Sequence, residues 1–119
     1  DASHPDVASI RTALVAGIDD FEAVVEAVCG WPKQDIMGLY AGSVPYLRLA
    51  GVVVGGWQMA RAAQCAWVQL GKGVDTDFMQ AKLTTARFYA DHVLSASAGL
   101  RASVIHGAPG VLGLEAAQF

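Results

Sequence analysis

Apolar residues in the first quarter of the chain recur at intervals of three and four, the spacing of one face of an amphipathic helix. They are Val7, Ile10, Leu14, Ile18, Phe21, Val25 and Val28. The acidic residues on the other side, which we interpret as a solvated face, are Asp19, Asp20, Glu22 and Glu26. The pattern predicts a first helix over residues 5–28, capped by Ser3 and stopped by Gly30.

A second long helix is predicted over residues 44–70, with Ser43 as its cap and Pro45 in its first turn. A weaker stretch over residues 35–41 predicts a short lead-in helix, joined to the long one through a kink at Pro45. The predicted buried stripe of the long helix consists of Leu47, Val54, Ala62, Cys65 and Val68.

Three glycines, Gly51, Gly55 and Gly56, lie close together inside this second helix. A glycine within a helix costs up to ~1 kcal/mol relative to alanine, so the cluster needs a physical reason. A missing Cβ lets another backbone or a bulky aromatic ring lie directly on the helix, and Trp57 and Trp67 flank the cluster. These glycines follow no strand and form no GxGxxG motif, so they predict close packing and not a nucleotide site.

A third helix is predicted over residues 77–105, with Thr76 as its cap. Its seam steps by four and three residues, a heptad pattern typical of nearly parallel or antiparallel helix packing. The seam consists of Met79, Leu83, Ala86, Ala90, Val93, Ser97, Leu100 and Val104. Serine and glycine residues weaken the helix after Leu94 and predict a bend there.

The fold class that follows is all-α, an antiparallel bundle of three long helices with a short lead-in helix and a docked C-terminal tail, similar to a four-helix bundle. Gly71-Lys72-Gly73 separates the second and third helices, and glycines and a proline over residues 107–110 end the third. The apolar residues that would dock the tail are Val111, Leu112, Leu114 and Phe119. We predict a single helical domain over residues 1–119.

The composition predicts a surface that is partly covered. Hydrophobic residues make up 54% of the chain and charged residues only 16%, against about 25% charged in ordinary domains. Two interpretations remain open: a neighbouring domain or partner covers part of the surface, or an alanine-rich core inflates the apolar count. The chain begins at Asp1 without an initiator methionine, and we expect it to be a fragment of a longer polypeptide.

Two classes of partner are excluded by the same composition. The longest apolar run, from Leu49 to Trp57, is shorter than the roughly 20 residues of a transmembrane helix. The net charge is −3 and the basic residues are scattered, so nucleic-acid binding has no electrostatic basis.

No catalytic, cofactor-binding or metal-binding site is predicted from residue spacing. His4, His92 and His106 lack the spacing of metal ligands, and no serine stands in a GxSxG turn. Cys29 and Cys65 form no CxxC pair, and we interpret them as reduced thiols in or near the core of a cytoplasmic protein.

Three arginines, Arg48, Arg61 and Arg87, lie among apolar residues on the predicted helices. An arginine in such a position is usually paired, stacked on an aromatic ring or extended to the edge of the apolar surface. Three roles remain open: pairing within the chain, contact with another domain, and binding of a ligand.

Two stretches resemble the C-terminal extension of a subgroup of acyl-CoA dehydrogenases that carries an extra helical domain. The first is YLRLAGVVVGGWQMARAA over residues 46–63, and the second is FMQAKLTTARFYADHVL over residues 78–94. The ending from Gly107 to Phe119 is also similar, and the resemblance covers roughly residues 34–119.

The resemblance implies a parent flavoenzyme of fatty acid metabolism, which oxidises the α,β bond of an acyl-CoA thioester. Such an enzyme uses FAD as hydride acceptor and a glutamate as base, and passes electrons to an electron-transfer flavoprotein. In that family the FAD site and the base lie in the preceding domains. No catalytic or FAD-binding residue is therefore carried over, and we expect the fragment itself to hold no cofactor.

The predicted role is structural: packing on the preceding domains, assembly of a homo-oligomer, or walling of the acyl pocket. The residues that we expect near the interdomain or subunit contact are Trp57, Arg61, Arg87, Phe88 and Tyr89. Two alternatives remain open. One is an independent helix-bundle module that holds an amphipathic partner helix, and the other is a small bundle that binds an apolar ligand between its helices.

Overall fold

The first helix, α1 (Pro5–Cys29), begins at a histidine cap. A computed structural model describes residues 4–119, and Ser3, the predicted cap, lies outside the described residues. Nδ1 of His4 accepts a hydrogen bond from the backbone N–H of Asp6 at 3.1 Å. The His4 ring also lies against Trp67, with 4.7 Å between ring centroids, so His4 both caps α1 and contacts α3.

The buried stripe of α1 differs from the predicted one in its second half. The stripe starts correctly at Val7 and Ile10, but it continues through Gly17 and Val24 in place of the predicted Ile18 and Val25. Ile18 is 43% exposed. Gly17 faces the core, where its missing Cβ leaves room for the side chain of Leu94.

The lead-in helix α2 (Ile36–Ala41) and the long helix α3 (Ser43–Gly71) are both present. They meet at Gly42, and not through the kink that was predicted at Pro45. The carbonyl oxygen of Gly42 accepts the backbone N–H of Tyr46 at 3.0 Å and closes the first turn of α3. The prediction of Ser43 as the cap is therefore wrong, because this residue already lies inside the helix.

The third predicted helix is divided into α4 (Thr76–His92), a 3₁₀ turn (Leu94–Ala96) and α5 (Ser97–His106). The predicted bend is present as this break. The prediction of one continuous helix over residues 77–105 is wrong. The heptad seam is confirmed across the break. Its buried members are Leu83, Ala86, Ala90, Ser97 and Val104, together with the turn residue Leu94.

The cap of α4 is also different from the predicted one. Thr76 is the first residue of the helix, and the cap is Asp75 in the left-handed conformation, with φ 43°. The loop begins at Lys72, one residue later than predicted, and returns through Gly73, whose φ of 71° is one that a glycine adopts without strain. This tight connection places the start of α4 against the end of α3.

The tail packs less completely than predicted. Its helix α6 (Ala108–Leu112) contacts α2, and a second 3₁₀ turn follows (Ala116–Gln118). The predicted docking side chains are nevertheless exposed, from Leu112 at 44% to Phe119 at 93%. The tail helix thus lies beside α2 without burying these side chains.

The three rods α1, α3 and α4–α5 each contact the other two and form an antiparallel all-α bundle, as predicted. Phe21 lies against Tyr46 and His4 against Trp67, so α1 and α3 run in opposite directions. Arg87 pairs with Asp6 near the start of α1 and Ser97 with Asp20 further along it, so α4–α5 runs beside α1 in the same direction. The molecule measures 65 × 30 × 16 Å, and its 18.5 Å radius of gyration exceeds the roughly 14 Å of a compact chain of this length. This elongated shape leaves the long sides of the rods open to contacts.

Candidate contact surface

The predicted buried stripe of the second helix is wrong, because Leu47 and Val54 are 73% and 52% exposed. The residues of α3 that are buried against α1 and α4–α5 are Leu49, Val53, Gly56, Ala63 and Ala66. α3 is apolar on two opposite sides, so periodicity alone does not decide which side meets the bundle. A helix that is apolar all round is typical of a fully buried position.

We call the opposite side the outer face of α3. Its positions step by three and four residues along the whole helix, and every one of them is exposed. They are Val44, Leu47, Gly51, Val54, Gln58, Arg61, Cys65 and Val68. The only charged residues of α3 are Arg48 and Arg61. The outer face is thus a long apolar seam with positive charge and no carboxylate of its own helix.

Two of the three clustered glycines have a packing reason within the chain. A Cβ at position 55 would collide with the hydroxyl of Tyr89, and one at position 56 would lie 2.8 Å from Cδ2 of Leu94. These contacts confirm the predicted close approach. Gly51 has no neighbouring atom within 4 Å of its Cβ position, so nothing in the described chain accounts for it.

Arg61 of the outer face forms a stacked pair with Trp57, which lies beside that face. The guanidinium carbon of Arg61 lies 5.3 Å from the ring centroid of Trp57, within the range of a cation–π contact. Nη1 of Arg61 also donates a hydrogen bond to Oε1 of Gln58 at 3.3 Å. Trp57 remains 51% exposed. All of these contacts lie within α3, and they leave an aromatic ring and a guanidinium group exposed to solvent side by side.

Arg87 and Tyr89 each make a contact between helices of the bundle. Arg87 contacts Oδ2 of Asp91 at 3.0 Å and Oδ1 of Asp6 at 3.2 Å, and the hydrogen bond to Asp91 raises the pKa of Arg87. The hydroxyl of Tyr89 donates to the carbonyl oxygen of Val52 at 2.8 Å, and burial raises the pKa of Tyr89. Arg87 thus joins α4 to α1, whereas Tyr89 joins α4 to α3.

Phe88 points away from both of these contacts. It is 59% exposed and stacks on His92 of its own helix, with 4.6 Å between ring centroids. The five residues predicted near a contact are therefore not gathered into one patch. Arg61 lies on the outer face of α3 with Trp57 beside it, and Phe88 lies on the exposed side of α4.

Asp20 departs from the solvated face that was predicted for the acidic residues of α1. Its carboxylate accepts a hydrogen bond from the hydroxyl of Ser97 at 2.7 Å and contacts Nη1 of Arg101 at 3.3 Å. Its side chain is only 15% exposed. Ser97 and Arg101 belong to α5, so sequence spacing within α1 gave no signal of this tertiary pairing.

The cysteines also differ from the prediction, since Cys29 and Cys65 are both exposed free thiols and not core residues. Among residues 4–119, no group of histidine, cysteine, aspartate or glutamate side chains could hold a metal ion. No helix in this described part is both long and apolar enough to cross a bilayer.

An apolar cavity of about 210 Å³ lies at the end of the bundle where α2 meets α3 and α5. Its walls include Val28, Trp31, Leu39, Tyr40, Tyr46 and Val104. The cavity meets the heptad seam only at its last member, Val104, and the other seam residues do not line it.

Comparison with known proteins identifies related sequences. The model of a family described as "Acetyl-CoA dehydrogenase C-terminal like" matches residues 1–115. A 3-methylmercaptopropionyl-CoA dehydrogenase from Ruegeria pomeroyi is 41% identical over 88 residues, which are 74% of this chain and 14% of that protein. A broad-specificity linear acyl-CoA dehydrogenase from Mycobacterium tuberculosis is 30% identical over 93 residues, 71% of this chain and 15% of that protein. The match thus covers only a small part of each relative. No solved structure is significantly similar to the chain.

Proposed function

The chain belongs to the acetyl-CoA dehydrogenase C-terminal-like family, and we propose that it is the non-catalytic C-terminal domain of an FAD-dependent acyl-CoA dehydrogenase. Family membership confirms the resemblance carried by the stretches over residues 46–63 and 78–94. In this proposal the preceding domains hold FAD and the catalytic base, oxidise the α,β bond of the acyl-CoA thioester and reduce an electron-transfer flavoprotein. The present domain supplies no reacting group.

The observation that carries the structural role is the exposed outer face of α3. Leu47 and Val54 leave large apolar side chains in water on the longest helix of the domain. Removing apolar surface from water is favourable by roughly 25 cal/mol per Å² before the entropic costs of association, so covering this face would favour docking of a neighbouring domain. This supports packing on the preceding domains. Assembly of a homo-oligomer and walling of the acyl pocket are further consequences that we propose for the same attachment.

The proposed location of the enzyme is the cytoplasm. Its support is the pair of free cysteines, Cys29 and Cys65. Reducing compartments keep such thiols unpaired, whereas exported domains of this size commonly use cysteines in disulfides.

The role is tested in the intact enzyme by charge substitutions on the outer face. Leu47→Asp and Val54→Asp should weaken docking, because a carboxylate would have to be buried at an apolar contact. Val15→Asp is the matched control, since Val15 is 53% exposed on α1, outside the outer face. Analytical ultracentrifugation, flavin content and dehydrogenase activity are the measurements.

We expect the two outer-face variants to lose assembly or flavin retention while Val15→Asp behaves as the parent. An enzyme that keeps its assembly and activity after deletion of residues 1–119 would overturn the structural role. The isolated chain is expected to be colourless and inactive, and a flavin spectrum from it would contradict its assignment as the non-catalytic part.

A further inference from the structure

We propose that Gly51 marks the point where an α-helix of the preceding dehydrogenase body crosses α3. This inference rests on the proposed function and adds to it the position and the chemistry of the contact. The occupant of the outer face is a helix of the same polypeptide, with a side chain lying over Gly51 and a carboxylate near Arg61.

The first support is that Gly51 is an unfavourable residue for the interior of α3, and that no contact within the described chain explains it. A glycine in a helix interior is up to ~1 kcal/mol less favourable than alanine. Gly55 and Gly56 are needed because Tyr89 and Leu94 occupy the space of their missing Cβ atoms. Gly51 lies in the same helix, is exposed and has open space around it. Its missing Cβ leaves room for a group from outside the described chain, and the exposed apolar side chains of Leu47 and Val54 beside it distinguish Gly51 from other open helical glycines such as Gly99.

The second support is the spacing of the outer face. Leu47 and Val54 lie four residues before and three residues after Gly51, and the same alternation continues to Val68. Steps of three and four along a whole helix favour a partner helix at a shallow crossing angle. Helices packed in this way have axes about 8–10 Å apart, and a glycine at the crossing allows the shorter end of that range.

The third support is charge and the amount of chain available. α3 carries Arg48 and Arg61 but no acidic residue, so an acidic partner helix would complement it without repulsion. The related dehydrogenases extend far beyond this domain, because the matched region is 14% and 15% of their lengths. A body domain of the same polypeptide would be held at high effective concentration beside the outer face, which favours it over a second copy.

The chain provides its own probe of coverage. Cys65 lies on the outer face, whereas Cys29 lies at the end of α1, and both thiols are exposed. Alkylation by iodoacetamide, followed by peptide mass spectrometry, gives the two rates separately. In the intact enzyme we expect Cys65 to react at least about tenfold more slowly than in the 119-residue chain, because a thiol under a docked helix reacts only when the contact opens. Cys29 serves as the internal reference.

The variant Gly51→Leu tests the crossing point. Gly99→Leu is the matched control, because Gly99 also lies in a helix with open space around its Cβ position. In the intact enzyme Gly51→Leu should return Cys65 to the rate of the 119-residue chain, while Gly99→Leu should leave it slow. In the 119-residue chain Gly51→Leu should be folded and at least as stable as the parent, since leucine favours the helix more than glycine does.

Each other outcome overturns a separate part of the inference. If Cys65 is slow in the intact enzyme and Gly51→Leu leaves it slow, the crossing at Gly51 is wrong while the proposed function stands. If Cys65 reacts equally fast in the two proteins, no body helix covers the outer face. Slowing that depends on the concentration of the 119-residue chain would identify a second copy as the occupant. Flavin content and activity, measured in parallel, report on the proposed function independently.

Discussion

The side chain of Leu94 lies directly over Gly56, so that a Cβ atom at position 56 would come within 2.8 Å of Cδ2 of Leu94. The same methyl group would lie 3.2 Å from a Cβ atom at position 17. Leu94 is 1% exposed and begins the 3₁₀ turn between α4 and α5. Glycines on α1 and α3 thus form the space that Leu94 fills at the break in the third rod.

Replacing Gly56 by alanine should destabilise the chain. Overpacking a filled core costs about 1–3 kcal/mol, and the better helix propensity of alanine returns at most ~1 kcal/mol of this. We expect the free energy of unfolding in urea to fall by roughly 1 kcal/mol. Gly51→Ala, in open space on the same helix, should raise it instead. Equal stabilisation by both substitutions would show that Leu94 does not fill this space.

Gly55 and Tyr89 should be energetically coupled. When Tyr89 is present, the Cβ atom introduced by Gly55→Ala meets the Tyr89 hydroxyl and displaces it from the carbonyl oxygen of Val52. The lost hydrogen bond, about 0.5–1.5 kcal/mol, then offsets the gain in helix propensity. In a Tyr89→Phe background no hydroxyl is present, so Gly55→Ala should be more stabilising there. A double-mutant cycle in urea should give a coupling of about 1 kcal/mol, and strict additivity would contradict this.

The stability of the chain should fall in alkali partly through Tyr89. Burial raises the pKa of Tyr89 above its ordinary value, so the unfolded chain loses this phenolic proton first as the pH passes about 10. The contribution of Tyr89 to the free energy of unfolding is fully present below that pH, and it is lost as the pH rises through the higher pKa of Tyr89 in the folded state. Urea unfolding from pH ~9 to ~11 should show a shallower loss for Tyr89→Phe than for the parent.

The control for this pH dependence is Tyr40→Phe, which removes a hydroxyl from a side chain that is 61% exposed. We expect it to follow the parent. If Tyr40→Phe and Tyr89→Phe change the slope equally, burial of Tyr89 is not the cause.

The helices could be predicted from the sequence because each rod carries a continuous seam in steps of three and four. The break after His92 could be located only roughly, since its cause is tertiary. Ser95 and Gly99 weaken the helix locally, but the position of the 3₁₀ turn depends on Leu94 entering the space beside Gly17 and Gly56. Those three residues are far apart in the sequence, so local periodicity carries no signal of their contact.

The candidate surface was only partly predictable for a related reason. The stripe through Leu47 and Val54 was recognised as an apolar helix face, yet the structure turns it outward. A helix with two apolar seams gives the same periodicity whichever side meets the bundle. Trp57 was singled out because it flanks the glycine cluster, and Arg61 because it is a cation among apolar residues; the prediction that they lie near a contact stays a prediction.

Asp20 should contribute more to stability than its acidic neighbour Asp19. Asp20→Ala leaves the hydroxyl of Ser97, a residue that is 4% exposed, without its acceptor. An unsatisfied buried donor costs about 1–3 kcal/mol, whereas the contact with the half-exposed Arg101 adds little. Asp19→Ala, on the exposed side of α1, should change the free energy of unfolding by no more than about 0.5 kcal/mol. In the double variant Asp20→Ala, Ser97→Ala both partners are gone, so much of the lost stability should return. Equal urea midpoints for Asp19→Ala and Asp20→Ala would show that the link between α1 and α5 through Ser97 does not stabilise the bundle.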